Sequence, residues 1–429
     1  MLSREENETL CRVGRDTPMG KVMRRYWHPV ACSDQLPEPN CKPLRVELLG
    51  ERLVVFRDSA GQVGVLQEHC MHRGASLALG RVEEGGLRCL YHGWKFAVDG
   101  TILDTPNNPD PRVRERLKQP CFPVCEEGGL IWTVVGAKKG EEPPFRRYSF
   151  MDAPPEHRLV LRINVKCNYL QLWEGGADSS HVGILHSEVA RPGWLDDAPQ
   201  RDSRESNPAN LAIPDNAPTF EIENTEYGFH YAAMRRAPNA QGDMEVRNIR
   251  VVPLIMPTVR IIPAPNSFLT VFETPDNDYG TSTYIVQHGY SPPNRAEMLE
   301  LLGMDDPAIY DPETRALTID LHGGLGQRRD EMDHHWSGMK GVEHEDAAMA
   351  LSMGPLFDRT LEHLVAADGA VVRLRKRLLD CVKAVEAGEE PLGATMEDLT
   401  GVSVTSDAPL DQPWQTVGHR YEIPPKAAE

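Results

Sequence analysis

Cys70-Met71-His72 and Cys89-Leu90-Tyr91-His92 form a C-x-H pair and a C-x₂-H pair with sixteen residues between them. Thiolates and neutral imidazoles are metal ligands. Two of each suit either one tetrahedral zinc or a [2Fe–2S] cluster with two Cys on one iron and two His on the other. Further along, Glu174, Asp178, His181 and His186 are spaced E-x₃-D-x₂-H-x₄-H. The first three fall at i, i+4 and i+7, which is one face of a helix. His186 is five residues past His181, about 140° round an ideal helix. Both histidines reach one ion only if the helix bends or ends between them, and Gly183 occupies that interval. Two His and one carboxylate with open positions make the facial triad of O₂-activating Fe(II) sites.

Elements must bring these residues together. Residues 44–49, 53–57 and 63–66 alternate with turns, so they predict a meander of short antiparallel strands that continues to about residue 135. A strand precedes each Cys/His pair, which lets two loop tips converge. Residues 136–144 have the Lys, Gly, Glu and Pro content of a linker. Residues 168–181 predict a helix, and the Pro/Asn/Asp-rich stretch 192–218 a long loop. Extended runs follow at 220–226, 228–234, 245–252, 259–262 and 282–288, and residues 361–387 have apolar side chains at helical spacing. The expected fold is α+β: an all-β domain over 27–140, then a second domain over 145–429. That second domain carries an antiparallel sheet and a long C-terminal helix. Residues 1–26 are expected to pack on it.

The chain of 429 residues has room for two or three domains. With 46 Lys and Arg against 64 Asp and Glu, the formal charge is −18. That field argues against nucleic acid or an anionic membrane as partner. No signal peptide or bilayer-spanning run is evident, so the expected location is cytoplasmic. The nine cysteines lack the dense spacing of a disulfide scaffold. Cys11, Cys32, Cys41, Cys167 and Cys381 read as small buried hydrophobes, and Cys121 and Cys125 as structural.

Cys70-Met71-His72-Arg73-Gly74-Ala75 and Cys89-Leu90-Tyr91-His92-Gly93-Trp94 resemble the binding loops of Rieske iron–sulfur domains. On that resemblance zinc gives way to a [2Fe–2S] cluster. Respiratory Rieske proteins staple the loops with a second cysteine pair. Here those positions hold Ala75 and Tyr91, as expected of oxygenases and ferredoxins in a reducing cytoplasm. Thr17-Pro18-Met19-Gly20, Met23-Arg24-Arg25-Tyr26-Trp27-His28-Pro29, Ser352-Met353-Gly354-Pro355 and residues 358–364 extend the likeness. The whole resembles the phthalate dioxygenase subgroup of Rieske non-haem iron ring-hydroxylating oxygenases.

The resemblance implies a Rieske domain and a helix-grip catalytic domain, assembled as a head-to-tail homotrimer. It also implies a separate NADH-dependent reductase carrying FMN and a plant-type [2Fe–2S] centre. Cys70, His72, Cys89 and His92 are the implied cluster ligands. The implied mononuclear Fe(II) ligands are His181, His186 and Asp346, with Asp330 and Asp333, near His334 and His335, as rivals for the carboxylate. Asp178 is implied to bridge, bonding His181 and a cluster histidine, His92, of the adjacent subunit. Glu174 either orients a ligand or belongs to a polar network. Arg247 matches one of two arginines that hold the carboxylates in phthalate-converting relatives, while Arg250 is expected on the opposite strand face. The other falls near residues 204–210, where this sequence differs. The expected substrate is therefore a mono-carboxylated aromatic, phenoxybenzoate-like or methoxylated, hydroxylated to a cis-diol with O₂. The alternatives are O-demethylation and a Rieske electron carrier, for which the first constellation alone suffices.

Overall fold

The computed structural model describes residues 2–108, 110–138, 140–186, 191–192, 212–213, 217–237, 246–264, 267–333, 335–399 and 403–417. Most of the expected loop at 192–218, the stretch 204–210 and His334 lie outside them.

The N-terminal β region holds two four-stranded sheets. One pairs Leu44–Leu48, Glu51–Arg57, Val63–Gln67 (β1) and Cys121–Phe122 in that order. The other pairs Arg81–Glu83, Gly86–Arg88 (β2), Lys95–Phe96 and Ile102–Asp104. Cys70 follows β1 and Cys89 follows β2, so a strand end delivers each loop. Val54, Phe56, Leu66, Leu77, Leu87 and Phe96 form a core beneath both loops.

The larger sheet begins at Arg158–Val165 (β3), where Leu159, Leu161, Ile163 and Val165 alternate inward. Its neighbour-by-neighbour path is Thr219–Thr225 (β4), Gly228–Ala237 (β5), Val246–Ile255 (β6), Val259–Ala264 (β7), Ser267–Asn277 (β8), Gly280–Gly289 (β9), then β3. Val404–Pro409 (β10) adds to β6 from the other end of the chain. Strands β3 and β8 are absent from the sequence expectations. In β8, Pro275 breaks the pattern, and it sits at a register shift that lets a sheet hold proline. The inner face of β5 and β6 carries Phe229, Tyr231, Ala233, Val252 and Leu254. They pack with Tyr169 and Trp173 of a helix, Tyr169–Ala177 (α3).

Two helices differ from expectation. The helix expected over 168–181 ends at Ala177, and Asp178 caps it in an extended conformation at φ −91° and ψ 118°. The Asp178 carboxylate takes the Ser180 N–H and hydroxyl, each at 2.7 Å. That local turn offers the backbone an alternative to another helical turn. The chain breaks before His181, not at Gly183, and Gly183 lies inside a second short helix, Val182–Leu185 (α4). The long C-terminal helix spans Gly369–Glu386 (α6), starting later than expected. Leu361 and Val365, which extended the apolar period, are 67% and 68% exposed.

Leu374, Leu378, Cys381 and Val382 bury one stripe of α6 against Leu10, Val22 and Met23 of the N-terminal helices Arg4–Cys11 (α1) and Pro18–Met23 (α2). Each such side chain contributes about 1.5–3 kcal/mol through burial. Glu174 on α3 anchors a buried ion network. It accepts from Arg359 Nε at 2.9 Å and from Arg375 Nε at 2.5 Å, and Arg375 also grips Glu362. Glu174 therefore fixes α3 from behind, away from the histidines.

Candidate metal centres

The two Rieske-like loops share one hydrogen-bond pattern. Cys70 N–H donates to Ala75 and Gly74 N–H to Cys70, both at 2.8 Å. Cys89 N–H donates to Trp94 at 2.8 Å and Gly93 N–H to Cys89 at 3.0 Å. Each turn closes on a glycine at positive φ, 74° for Gly74 and 78° for Gly93, a conformation that costs a side-chain-bearing residue about 1–2 kcal/mol. Cys70 and Cys89 are buried beside one another, and burial together with Cys89 pushes the Cys70 thiol up to about 11. The His72 and His92 rings stand 4.5 Å apart at the half-buried outer end. Trp94 stacks on His72 at 4.7 Å, and its indole N–H is held by Asn107. Gln119, fully buried, spans the loop base: it accepts the Met71 N–H and donates to the Gln67 and His69 carbonyls.

The second constellation draws on three segments. His181 precedes α4 and His186 follows it, so one helical turn sets their rings 5.1 Å apart. Asp346 comes from a distant helix, Val342–Ser352 (α5). Its Oδ1 lies 3.2 Å from His186 Nε2 and 3.6 Å from His181 Nε2. Among the described residues, His181, His186 and Asp346 are the one set of three such groups with ligand atoms within 4.8 Å of one another. Asp330 and Asp333 are exposed and stand apart from it. Behind the ligand faces, His186 Nδ1 meets Glu345 at 2.7 Å, and Glu345 takes the Ser337 hydroxyl at 2.5 Å. His181 Nδ1 meets Asp178 at 3.3 Å. These contacts fix imidazole orientation.

Charge is concentrated here. Burial alone would lower His186, but Asp346 and Glu345 outweigh it and raise the imidazole to about 10. Burial opposes ionisation of Asp346, yet His186 and His181 hold it down to about 2. Burial and the charge of Asp346 push Glu343, one turn earlier on α5, up to about 8. Arg260 on β7 pairs with Glu273 at 2.5 Å, and Glu273 also takes the Thr283 hydroxyl. Arg260 runs so close to α3 that a Cβ on Gly176 would sit 2.3 Å from its side chain. Glycine is required at that crossing.

The arginine expected to face a substrate stands elsewhere. Arg247 shares its strand face with Ile249 and Val251, in the cluster of Met234, Ala408 and Trp414, and its guanidinium donates to the Gln412 carbonyl. That face is turned from α3 and the histidines, because side chains alternate along a strand. Arg250, three residues on, shares the inner face with Val252 and Leu254. It is 7% exposed, and its Nε is sealed without a partner.

Residues 26–123 match the Rieske [2Fe-2S] domain family, and residues 133–424 match the family described as LigXa C-terminal domain like. The phthalate 4,5-dioxygenase oxygenase subunit of Pseudomonas putida is 37% identical over 401 residues, 92% of this chain and 89% of that protein. This chain belongs to the Rieske oxygenase family. The 3-chlorobenzoate-3,4-dioxygenase oxygenase subunit of Comamonas testosteroni is 33% identical, covering 92% of each. The solved structure of dicamba monooxygenase bound to dicamba superposes with a TM-score of 0.54 at 19% identity, over 86% of this chain and 99% of that one. That likeness is one of fold.

The cofactors of this oxygenase are a Rieske [2Fe–2S] cluster and a mononuclear iron, and the side chains fit both. The two thiols pair with each other and the two imidazoles with each other. No three of these four side chains bring ligand atoms within 4.8 Å, which suits two irons and not one zinc. At the second site the excess of carboxylates around two imidazoles calls for a cation. Gln119, Glu345 and Ser337 have supporting parts that the sequence reading missed. A pattern of loop ligands names no distant partner, so a contact between positions 71 and 119 leaves no local trace. Among the described residues no helix is long and apolar enough to cross a membrane.

Proposed function

We propose that this oxygenase hydroxylates an aromatic carboxylate, consuming one O₂, two electrons and two protons. Cys70, Cys89, His72 and His92 hold the cluster, and His181, His186 and Asp346 hold the iron. The observation that carries the substrate class is Arg250, a buried guanidinium with no anionic partner among the described residues, on the sheet face turned to the histidines. A buried charge without a partner costs several kcal/mol, so the site calls for an anion from outside. An aromatic acid supplies it and leaves its ring over the apolar inner face.

When bound, a mononuclear iron with two His and one carboxylate supplies O₂ activation at its open positions. The chain does the rest. Glu345 and Asp178 orient the two imidazoles, and Arg250 fixes the ring by its carboxylate. We assign Asp178 a second role, as bridge to His92 of the partner subunit in a homotrimer. Its support is that Asp178 remains about a quarter exposed while bonding His181. The relatives are oxygenase subunits by name, which supports a separate partner that supplies electrons; we assign that part to an NADH-dependent reductase.

The test is anaerobic binding of benzoate, phthalate and 3-chlorobenzoate to the holoenzyme, followed by turnover with a matched reductase. Arg250→Gln is expected to weaken every carboxylate by tenfold or more, while Arg247→Gln changes little. Unchanged affinity in Arg250→Gln would overturn the assignment. Formaldehyde release from methoxylated acids, without a diol from any acid, would replace hydroxylation by O-demethylation.

A further inference from the structure

The turn between Asp178 and His181 is held from the sheet. Side chains alternate along β5, so Arg235 shares the inner face with Phe229, Tyr231 and Ala233. Its guanidinium is 2% exposed, and its Nη2 donates to the Ser179 carbonyl at 2.5 Å and to the Ser179 hydroxyl at 3.2 Å. Ser179 is itself fully buried. Tyr231, on the same strand face, donates its hydroxyl to the Gly176 carbonyl at 3.3 Å. The last carbonyls of a helix lack partners within it and carry its negative end, so they draw donors and cations. At the end of α3 the Asp178 N–H donates to Glu174 at 3.0 Å and Tyr231 serves Gly176. Arg235 reaches past the helix to the turn beyond it. Among the described residues Ser179, Ser180 and His181 donate no backbone–backbone hydrogen bond, so the helical ladder is interrupted there. The Asp178 carboxylate closes the turn locally on Ser180, and among the described residues Arg235 alone hydrogen-bonds residues 178–180 to the sheet.

We propose that Arg235 is a positioning residue for the iron site: its clamp on Ser179 sets the angle at which the break between α3 and α4 presents the Asp178 carboxylate and the His181 ring. The inference rests on the reading of His181 as an iron ligand and adds the group on the sheet that places it. The clamp grips main chain as well as side chain, so it fixes the backbone and not only a rotamer. It acts one residue from Asp178 and two from His181, in a stretch with no helical bonds of its own to restore the geometry. A guanidinium suits this task, because its planar fork loses less freedom for each hydrogen bond than a flexible ammonium does. Tyr231 supports the helix, whereas Arg235 supports what the helix delivers.

Chelator competition on the holoenzyme and near-infrared circular dichroism of its Fe(II) site test this without turnover. Arg235→Met removes the donors from a side chain of similar reach. It is expected to weaken the mononuclear iron by roughly tenfold, the scale for contacts that fix an imidazole ligand, and to shift the Fe(II) bands with the cluster absorption unchanged. Arg235→Lys keeps a donor on a long side chain and should recover part of both. Tyr231→Phe loosens the helix end without touching Ser179. It should lower the thermal transition and leave the Fe(II) bands in place, which separates the clamp from general support of α3. If Arg235→Met does not fold, Arg235→Gln, which stops short of Ser179, carries the same expectations. Wild-type iron affinity and bands in folded Arg235→Met or Arg235→Gln would overturn the role of Arg235, as would equal loosening of the iron by Tyr231→Phe. His181→Ala tells that failure from failure of the reading beneath it. Loss of the mononuclear iron there, with a silent Arg235→Met, removes Arg235 alone, whereas retained iron removes His181 as a ligand.

Discussion

The two metal centres of this chain are built in opposite ways. The cluster loops lie within a span of about twenty residues and repeat one turn, in which a cysteine N–H and carbonyl close on a glycine at positive φ. The iron site joins a helix cap, the far end of a four-residue helix, and an aspartate from a helix 160 residues beyond His186. Loops that fold on themselves tolerate change elsewhere. A site assembled from distant elements depends on the packing that places them, here α3 against the inner sheet face and α5 against both.

The largest expected effect breaks one centre and spares the other. Asp346→Ala should lower iron from three to two per chain and abolish turnover, with the visible absorption of the cluster retained. Loss of the cluster as well would show that the two are not independently built. Asp178→Asn is next: both metals stay bound, while turnover falls by roughly a hundredfold, as for other groups that orient a ligand. Full activity in that variant would refute the bridge between subunits. Glu345→Gln loosens the His186 ring and should cost about 10–100-fold in affinity for the mononuclear iron, measured by chelator competition. The cluster should not respond.

Gly93→Ala reverses the comparison. Strain at φ 78° and a Cβ 2.8 Å from Pro106 should cost about 1–2 kcal/mol or more, lower cluster occupancy and leave the iron site filled. The smallest effect lies outside both centres. Burial lowers His28 and His288 from 6.5 to about 4. The unfolded chain therefore binds protons more readily, so their contribution is complete above pH 6.5 and is lost as pH falls toward 4. At pH 5 the loss is about 2 kcal/mol for each histidine. Thermal unfolding at pH 7 and pH 5 should show it, and His288→Gln should narrow the difference. A transition insensitive to pH in this range would mean that acid reaches the metal centres first.

Much of the first centre was legible because its ligands, turns and preceding strands are neighbours in sequence. The second was legible only in part. The histidine spacing demanded a break in the helix, but Gly183 was the wrong place for it. The side chain of Asp178 takes the Ser180 N–H, and α3 ends at Ala177, four residues before His181. Arg247 shows the same limit. A strand alternates its faces, so the sequence places Arg247 and Arg250 on opposite sides, but it does not say which side is inside.

By itself, then, the sequence determined the ligand types, their local spacing and the opposition of the two arginines. These follow from covalent order and the periods of helix and strand. Tertiary structure alone decided that Arg250, not Arg247, lies on the sheet face turned to α3, and that Glu345 backs His186. Those outcomes depend on how α3 and α5 pack on one face of the sheet, and no local pattern records that choice.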